Sequence, residues 1–365
     1  MIKIKHTLQN FKATSYVRNP IAKLKEYDVD INTVIDCSLG TNPYGCTPRI
    51  KQQVMKVNWD KISYYPDITY KKLKKALVDY WKDICCLDEK DIFLGSGAAG
   101  ILSNLNKMFI QEGSKVLGYS PQFSENINFA KILGGKYEFV PLKGRDKFTF
   151  DIDNFILSIS NSHDVIYIDN PNNPTGQIIQ LSDIQKIIER AAKLNIPIII
   201  DEAYGDFMDK SNSAIRLCQD FENLIVVRSF SKGLGLANLR LGYAVMKGQL
   251  QQYYSTVNIP PFVFPDMFSQ LAMESLKDAA FISDSRKRIK NAKQKLIPFC
   301  KEKFHIAKTS WEVPIFMVSH PDPSVDLYDT FLRMGIITAP GEEFPGIGKN
   351  SVRIRIPRET LEMIE

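Results

Sequence analysis

Apolar positions in this chain gather into short unbroken runs, separated by longer stretches in which they recur every three or four residues. Ile92-Phe93-Leu94, Lys115-Val116-Leu117-Gly118-Tyr119, Val165-Ile166-Tyr167-Ile168 and Pro197-Ile198-Ile199-Ile200 are too short for buried helices and rich in β-branched residues, as are 224–228 and 241–246. Such runs predict strands. Between them, 97–111, 124–133 and 182–194 carry helical spacing, and so does 70–81, with Leu73, Leu77 and Tyr80 on one face. Near-continuous apolar strands alternating with helices predict an α/β domain: a mostly parallel sheet sandwiched by helices. Ligands in such sheets lie at the carboxyl ends of the strands.

From about residue 259 the pattern changes. Helices are expected over 265–276 and 284–299, then short strands over 315–318 and 352–356, which reads as a smaller α+β domain. The expected division is 1–45, an N-terminal arm and part of the small domain; 46–258, the large domain; and 259–365, the small C-terminal domain.

Composition narrows the class without naming it. The 365 residues are 44% hydrophobic and 24% charged, ordinary for a globular protein with a large core. The net charge of +6 is spread over Lys-rich helix faces such as Lys71, Lys72, Lys74 and Lys75, which argues against a nucleic-acid stripe. Six cysteines without CxxC spacing read as reduced thiols, and the start, Met1-Ile2-Lys3-Ile4-Lys5-His6, has no apolar signal segment, so a cytoplasmic protein is expected. No apolar run approaches membrane-spanning length, and the four histidines lie far apart, so neither a membrane span nor a metal site is expected.

The most informative stretch is Ser229-Phe230-Ser231-Lys232-Gly233-Leu234-Gly235-Leu236-Ala237-Asn238-Leu239-Arg240. Lys232 follows a strand-like run and precedes small residues, with hydroxyls one and three positions before it and an arginine eight after. Lysine is the side chain that condenses with carbonyls when its environment frees the amine. Hydroxyls and a guanidinium suit a phosphate. An aldehyde that carries a phosphate satisfies both, and pyridoxal 5'-phosphate is such a molecule. Asp201 closes the run Ile198-Ile199-Ile200, where a carboxylate can pair with a ring nitrogen.

Six motifs stand in order: Asn-Pro-Tyr-Gly at 42–45, Tyr65-Pro66-Asp67, Gly95-Ser96-Gly97-Ala98, Asn170-Pro171-Asn172-Asn173-Pro174-Thr175-Gly176, Asp201-Glu202-Ala203-Tyr204, and Ser229-Phe230-Ser231-Lys232 with Arg240. With these the chain resembles the fold-type I pyridoxal-phosphate enzymes, specifically the class I/II aminotransferases, nearest the histidinol-phosphate aminotransferase branch. The resemblance implies the aspartate-aminotransferase-like fold and transfer of an amino group from an L-amino acid to a 2-oxo acid. It implies that Lys232 holds the cofactor as a Schiff base and shuttles the proton. Asp201 would face the ring nitrogen, and Tyr204 and Asn173 the ring hydroxyl. Gly97 and Ala98 at a helix start, with Ser229, Ser231 and Arg240, would receive the phosphate. Phe123 would stack on the ring. Tyr65 would reach the phosphate of the other subunit in a homodimer with a shared active site. Arg353, together with Asn173, would grip the substrate carboxylate, with Arg355 as competitor on the same strand face. The Asn173–Pro174 bond is expected to be cis.

Three departures touch specificity. The branch carries an arginine after the Gly-Ile-Ile segment; here Gly335-Ile336-Ile337 is followed by Thr338. Asn238 replaces a usual glycine, and Ala99-Gly100 a usual acidic pair. The alternatives that keep the cofactor are a threonine-phosphate-type decarboxylase, or an oxidase or lyase of a specialised pathway. A cofactor-binding DNA regulator is a third class; it needs an extra winged-helix segment, for which the residues ahead of the first motif are too few, so it is not expected.

Overall fold

Seven strands form the central sheet: β1 (Ile92–Ser96), β2 (Lys115–Ser120), β3 (Lys136–Pro141), β4 (Val165–Asp169), β5 (Ile198–Glu202), β6 (Leu224–Ser229) and β7 (Leu241–Met246). Their spatial order is β1-β7-β6-β5-β4-β2-β3, parallel throughout except that β7 runs against both neighbours. The structure, a computed structural model, describes residues 2–9, 11–12, 15, 19–56, 58–144, 148–258 and 263–358.

The period-two geometry of the strands divides the core. Ile198, Ile200 and Val226 point to one face, where Leu73, Leu77 and Trp81 of the helix Lys71–Trp81 and Ile184, Ile187 and Ile188 of the helix Leu181–Ala192 cover them. Ile199, Ile225 and Val227 point to the other, under Ile101, Leu102 and Leu105 of the helix Gly97–Phe109. Each such fully buried side chain contributes about 1.5–3 kcal/mol. Both faces are dry, so the strands read as unbroken apolar runs.

Strand β3 is the one the hydrophobic pattern does not announce. It is an edge strand with Lys136, Phe139 and Pro141 exposed, and so lacks the apolar run of its neighbours. The helix expected over 284–299 extends instead over Ala279–Lys301, because Asp278 caps it by accepting the Phe281 N–H at 3.1 Å.

In the last third, Ile315–Ser319 and Ser351–Arg355 pair antiparallel, flanked by His305–Ile306 and Ala339–Pro340. The N-terminal segment joins this part: Ile35–Asp36 pairs with Ile336–Ile337, and Leu24 and Cys37 pack with Ile297, Phe316 and Val352. The expectation of a cis bond at Asn173–Pro174 is corrected. The cis bonds are Ser120–Pro121 and Asn170–Pro171, and the Asn172–Gly176 turn closes through the Gly176 N–H on the Asn172 carbonyl at 2.8 Å.

Candidate active site

The sheet brings the motifs to one edge. Strands β1, β4, β5 and β6 end there, at Ser96, Asp169, Glu202 and Ser229. Because β7 is antiparallel, it begins at that edge, which is why Arg240, the residue before it, joins them. A cavity of about 370 Å³ opens here, and its wall includes Ala98, Phe123, Asn173, Asp201, Tyr204, Ser229, Ser231, Lys232 and Arg240. A more open groove of about 810 Å³ lies at the opposite end of the sheet, beside Asp164, Pro197 and Asn223, and gathers none of the motif residues.

The loop that carries Lys232 is held from two sides. Asn42 donates through Nδ2 to the Gly233 carbonyl at 2.8 Å and to Ser285 Oγ at 3.1 Å. Gly235 has φ +72° and lies against the Gly45 carbonyl, 1.9 Å from where a Cβ would stand, so no side chain fits. The Asn42–Gly45 motif is therefore the brace of the lysine loop. On the other side, buried Arg228 ion-pairs with Glu202 at 3.0 Å and with Asp206, whose Cβ packs on Gly233. Lys232 itself is half-buried, its Nζ 5.3 Å from the centroid of the Tyr204 ring.

Asp201 accepts from the Tyr167 hydroxyl at 2.9 Å and from the Ala203 N–H at 2.9 Å. Burial, reinforced by the neighbouring Asp169 carboxylate, pushes its pKa up to about 7. Asp169 is its register partner on β4, and burial pushes that carboxyl up to about 6. Asp169 is surrounded by N–H donors: the Asn173 backbone at 2.8 Å, Gln122 Nε2 at 3.0 Å and Asn172 Nδ2 at 3.2 Å. The Tyr204 hydroxyl is buried with no hydrogen-bond partner among the described residues, and it lies 1.7 Å from where a Cβ on Gly40 would stand.

Gly97 opens the helix Gly97–Phe109 with φ +69°, and a Cβ there would come 2.8 Å from Arg240 Nη2. Gly242 packs equally close to the Gly97 carbonyl carbon and the Ala98 nitrogen. Helix start, guanidinium and the hydroxyls of Ser229 and Ser231 thus converge, an arrangement suited to an anion.

Arg353 is fully buried and donates through Nη1 to Asn173 Oδ1 at 2.8 Å and through Nη2 to the Ser38 carbonyl. Arg355 donates instead to the Asp36 carbonyl. Neither arginine is among the residues that line the cavity, but the partner of Arg353, Asn173, is. Tyr65 stands apart from the others: it is 82% exposed and does not line the cavity.

Several wall residues escaped the sequence reading: Leu39, Gly40, Thr41, Glu125 and Asp169. Asp169 had the same signal as Asp201, an acidic residue ending an apolar run. Glu125 had none, since an acidic residue in a helix first turn is a common dipole partner.

Comparison with known proteins gives a consistent family. The family model for "Aminotransferase class I and II" matches residues 32–365. The histidinol-phosphate aminotransferase of Staphylococcus carnosus is 27% identical over 99% of this chain and 98% of its own length. That of Caldanaerobacter subterraneus is 31% identical over 77% of each. Among solved structures, histidinol-phosphate aminotransferase from Sinorhizobium meliloti in complex with pyridoxal-5'-phosphate superposes with a TM-score of 0.84 at 18% identity, covering 100% of this chain and 96% of that one. A Thermus thermophilus aspartate aminotransferase double mutant gives a TM-score of 0.85 at 18% identity, covering 100% and 98%.

Proposed function

Because this chain belongs to the aminotransferase class I and II family, and so is a pyridoxal-phosphate-dependent transferase of amino groups, we propose that Lys232 is the residue that holds the cofactor and moves the substrate proton. The observation that carries this reading is the convergence on one cavity of Lys232, Asp201, Asn173, Tyr204, Ser229, Ser231 and Arg240. These residues fit the cofactor. Asp201, whose burial disfavours its charged form, gains a cationic partner when a protonated ring nitrogen arrives. The Tyr204 hydroxyl, buried and without a partner among the described residues, gains one in the ring hydroxyl, beside Asn173. Gly97, Ala98, Ser229, Ser231 and Arg240 present donors for the phosphate. Phe123 supplies a flat apolar wall for the ring.

When bound, the cofactor supplies an electron sink for the pair left at Cα. The chain does the rest. Arg353, held by Asn173 and the Ser38 carbonyl, would grip the substrate carboxylate and so orient the bonds at Cα. With cofactor and substrate bound, the Lys232 amine would take the Cα proton at Nζ. The relatives described above are named aminotransferases, and decarboxylation or oxidation is not favoured.

We place residues 1–45 with 259–365 as one lobe against the 46–258 domain, on the support of the Ile35–Asp36 pairing with Ile336–Ile337. Residues 259–262, part of the boundary, lie outside the described residues. The enzyme acts as a homodimer: Met55, Trp59, Ile62, Tyr64 and Tyr65 form an exposed apolar stretch that a second copy would cover, bringing Tyr65 to its phosphate site. Among the described residues no helix is long and apolar enough to cross a membrane, and we assign the protein to the cytoplasm.

The test is a half-reaction. Holoenzyme mixed with an amino acid and no acceptor should release one 2-oxo acid per site. Carbon dioxide or peroxide in its place contradicts the assignment.

A further inference from the structure

A fully buried lysine stands outside the cavity wall and outside every role assigned so far. Lys293 lies on the helix Ala279–Lys301. Its Nζ donates to the carbonyls of Ser310 at 2.7 Å, Val313 at 2.9 Å and Ile315 at 3.1 Å, and to Thr309 Oγ1 at 2.8 Å. An ammonium has three N–H donors, and all can be met here. Among the described residues no carboxylate pairs with it, and burial pulls its pKa well below the usual lysine range. A charge buried without a counter-charge is costly, and an apolar side chain of the same length would avoid that cost. What the ammonium does that an apolar chain cannot is draw acceptors from along the 309–315 loop onto one point.

That loop lies directly beneath the turn that carries Asn173. A Cβ on Gly176 would stand 2.3 Å from the Ile315 carbonyl oxygen and 2.8 Å from Thr309 Oγ1, both of them acceptors of Lys293. The Ser310 N–H donates to the Gly176 carbonyl at 2.9 Å, while the Ser310 carbonyl faces Lys293. The Gly176 N–H in turn closes on the Asn172 carbonyl, and Asn173, the next residue, lines the cavity and accepts from Arg353. Ile315 opens the strand whose Met317 is the register partner of Arg353. Lys293 therefore meets both sides of the Asn173–Arg353 contact, the turn through Gly176 and the strand through Ile315. Ser285 and Ile289 share its helix face at four-residue spacing. Ile289 packs with Tyr204 and Ile315, and Ser285 accepts from Asn42, the brace of the lysine loop.

We propose that Lys293 is a positioning residue for recognition of the substrate carboxylate: its ammonium holds the 309–315 loop beneath Gly176 and thereby sets the Asn173–Arg353 pair. This rests on the reading above, in which that pair receives the carboxylate. Without the ammonium the loop carbonyls turn toward other donors, the seat of Gly176 shifts, and the guanidinium loses its fixed direction. Misplacing an orienting group by about 1 Å corresponds to as much as a hundredfold in rate.

The experiment compares wild-type holoenzyme with K293M, which keeps the side-chain length and removes the ammonium, and with T309V, a milder change that removes one acceptor and serves if K293M does not fold. Each is first checked for cofactor absorbance and melting temperature. The first readout is the half-reaction with histidine and leucine, and with histamine and 3-methylbutylamine, the same molecules without the carboxylate. For the amino acids kcat/KM should fall roughly tenfold or more in K293M and about threefold in T309V, in KM rather than kcat, while the amines change less than about twofold. Amino acids and amines lowered alike, or neither lowered, overturns the proposal and leaves the aminotransferase reading intact. The second readout needs no activity: hydrogen exchange in peptides spanning 172–178 and 308–316 should rise roughly tenfold or more in both variants, with 229–236 unchanged. Unchanged exchange at 172–178 overturns the proposal whatever the rates. Wild type that binds cofactor but yields 2-oxo acid from no donor contradicts the aminotransferase reading instead; calorimetric affinities for the same four compounds then replace the rates, with the same expectation and the same contrary result.

Discussion

Arg353 Nη1 and Asn173 Oδ1, 180 residues apart in sequence, meet at 2.8 Å. This bond ties the strand Ser351–Arg355 to the turn that follows β4, so the fold itself fixes the direction of the guanidinium. Preorganisation of this kind is what a bidentate carboxylate grip needs.

Arg353→Ala should therefore raise KM for amino acids, with kcat/KM falling roughly a hundredfold, the worth of two charge-assisted hydrogen bonds. Arg355→Ala, whose guanidinium is engaged by the Asp36 carbonyl, should change it far less. Steady-state kinetics on both variants check the assignment, and equal losses would contradict it.

Asp201 sets a pH dependence with a definite sign. Its folded pKa, about 7, lies above the ordinary aspartate value of 3.8, so the folded state binds the proton more tightly than the unfolded chain does. Its contribution favours the cofactor-free fold at low pH and is lost as pH rises from about 4 through 7. The cost of ionisation is on the order of 4 kcal/mol. Asp201→Asn should match the wild-type melting temperature at pH 4 and exceed it at pH 8 without cofactor. With cofactor the order should reverse at pH 8. Calorimetric melts of the two proteins with and without cofactor provide the check.

At Gly97 the backbone and the space both exclude a side chain: φ is +69°, and a Cβ would press to 2.8 Å of Arg240 Nη2. Gly97→Ala should cost about 1 kcal/mol in backbone strain and displace the guanidinium, weakening cofactor affinity by tenfold or more. Titration of the cofactor-free protein, followed by absorbance, measures it.

Arg228 bridges two buried carboxylates, Glu202 and Asp206, beneath the lysine loop. Arg228→Met would leave both without their counter-charge and should destabilise the fold by about 3–5 kcal/mol. Denaturant unfolding of the cofactor-free protein tests this. A change below 1 kcal/mol would mean the network is not the brace its geometry indicates.

Much of the site was legible because chemistry here ends apolar runs. Lys232 and Asp201 follow strand-like segments, and a parallel sheet sends such positions to one edge. Arg240 was legible only as a spacing; its reason for joining the site, the reversed direction of β7, needed the topology. Strand β3 was hidden because an edge strand can be polar. Asn42 was legible only as the first residue of the Asn-Pro-Tyr-Gly motif, and its role as a brace depends on a hydrogen bond to Gly233, 191 residues away, that no local pattern encodes. Glu125 was hidden for the opposite reason: its local setting, a helix first turn, already explained an acidic residue.

The most direct test of the account is chemical. Borohydride reduction of the yellow holoenzyme, followed by digestion and mass analysis, should fix one cofactor per chain on the peptide that contains Lys232, and Lys232→Ala should abolish the label. A protein that stays colourless with added cofactor, or a label on any other lysine, would contradict it.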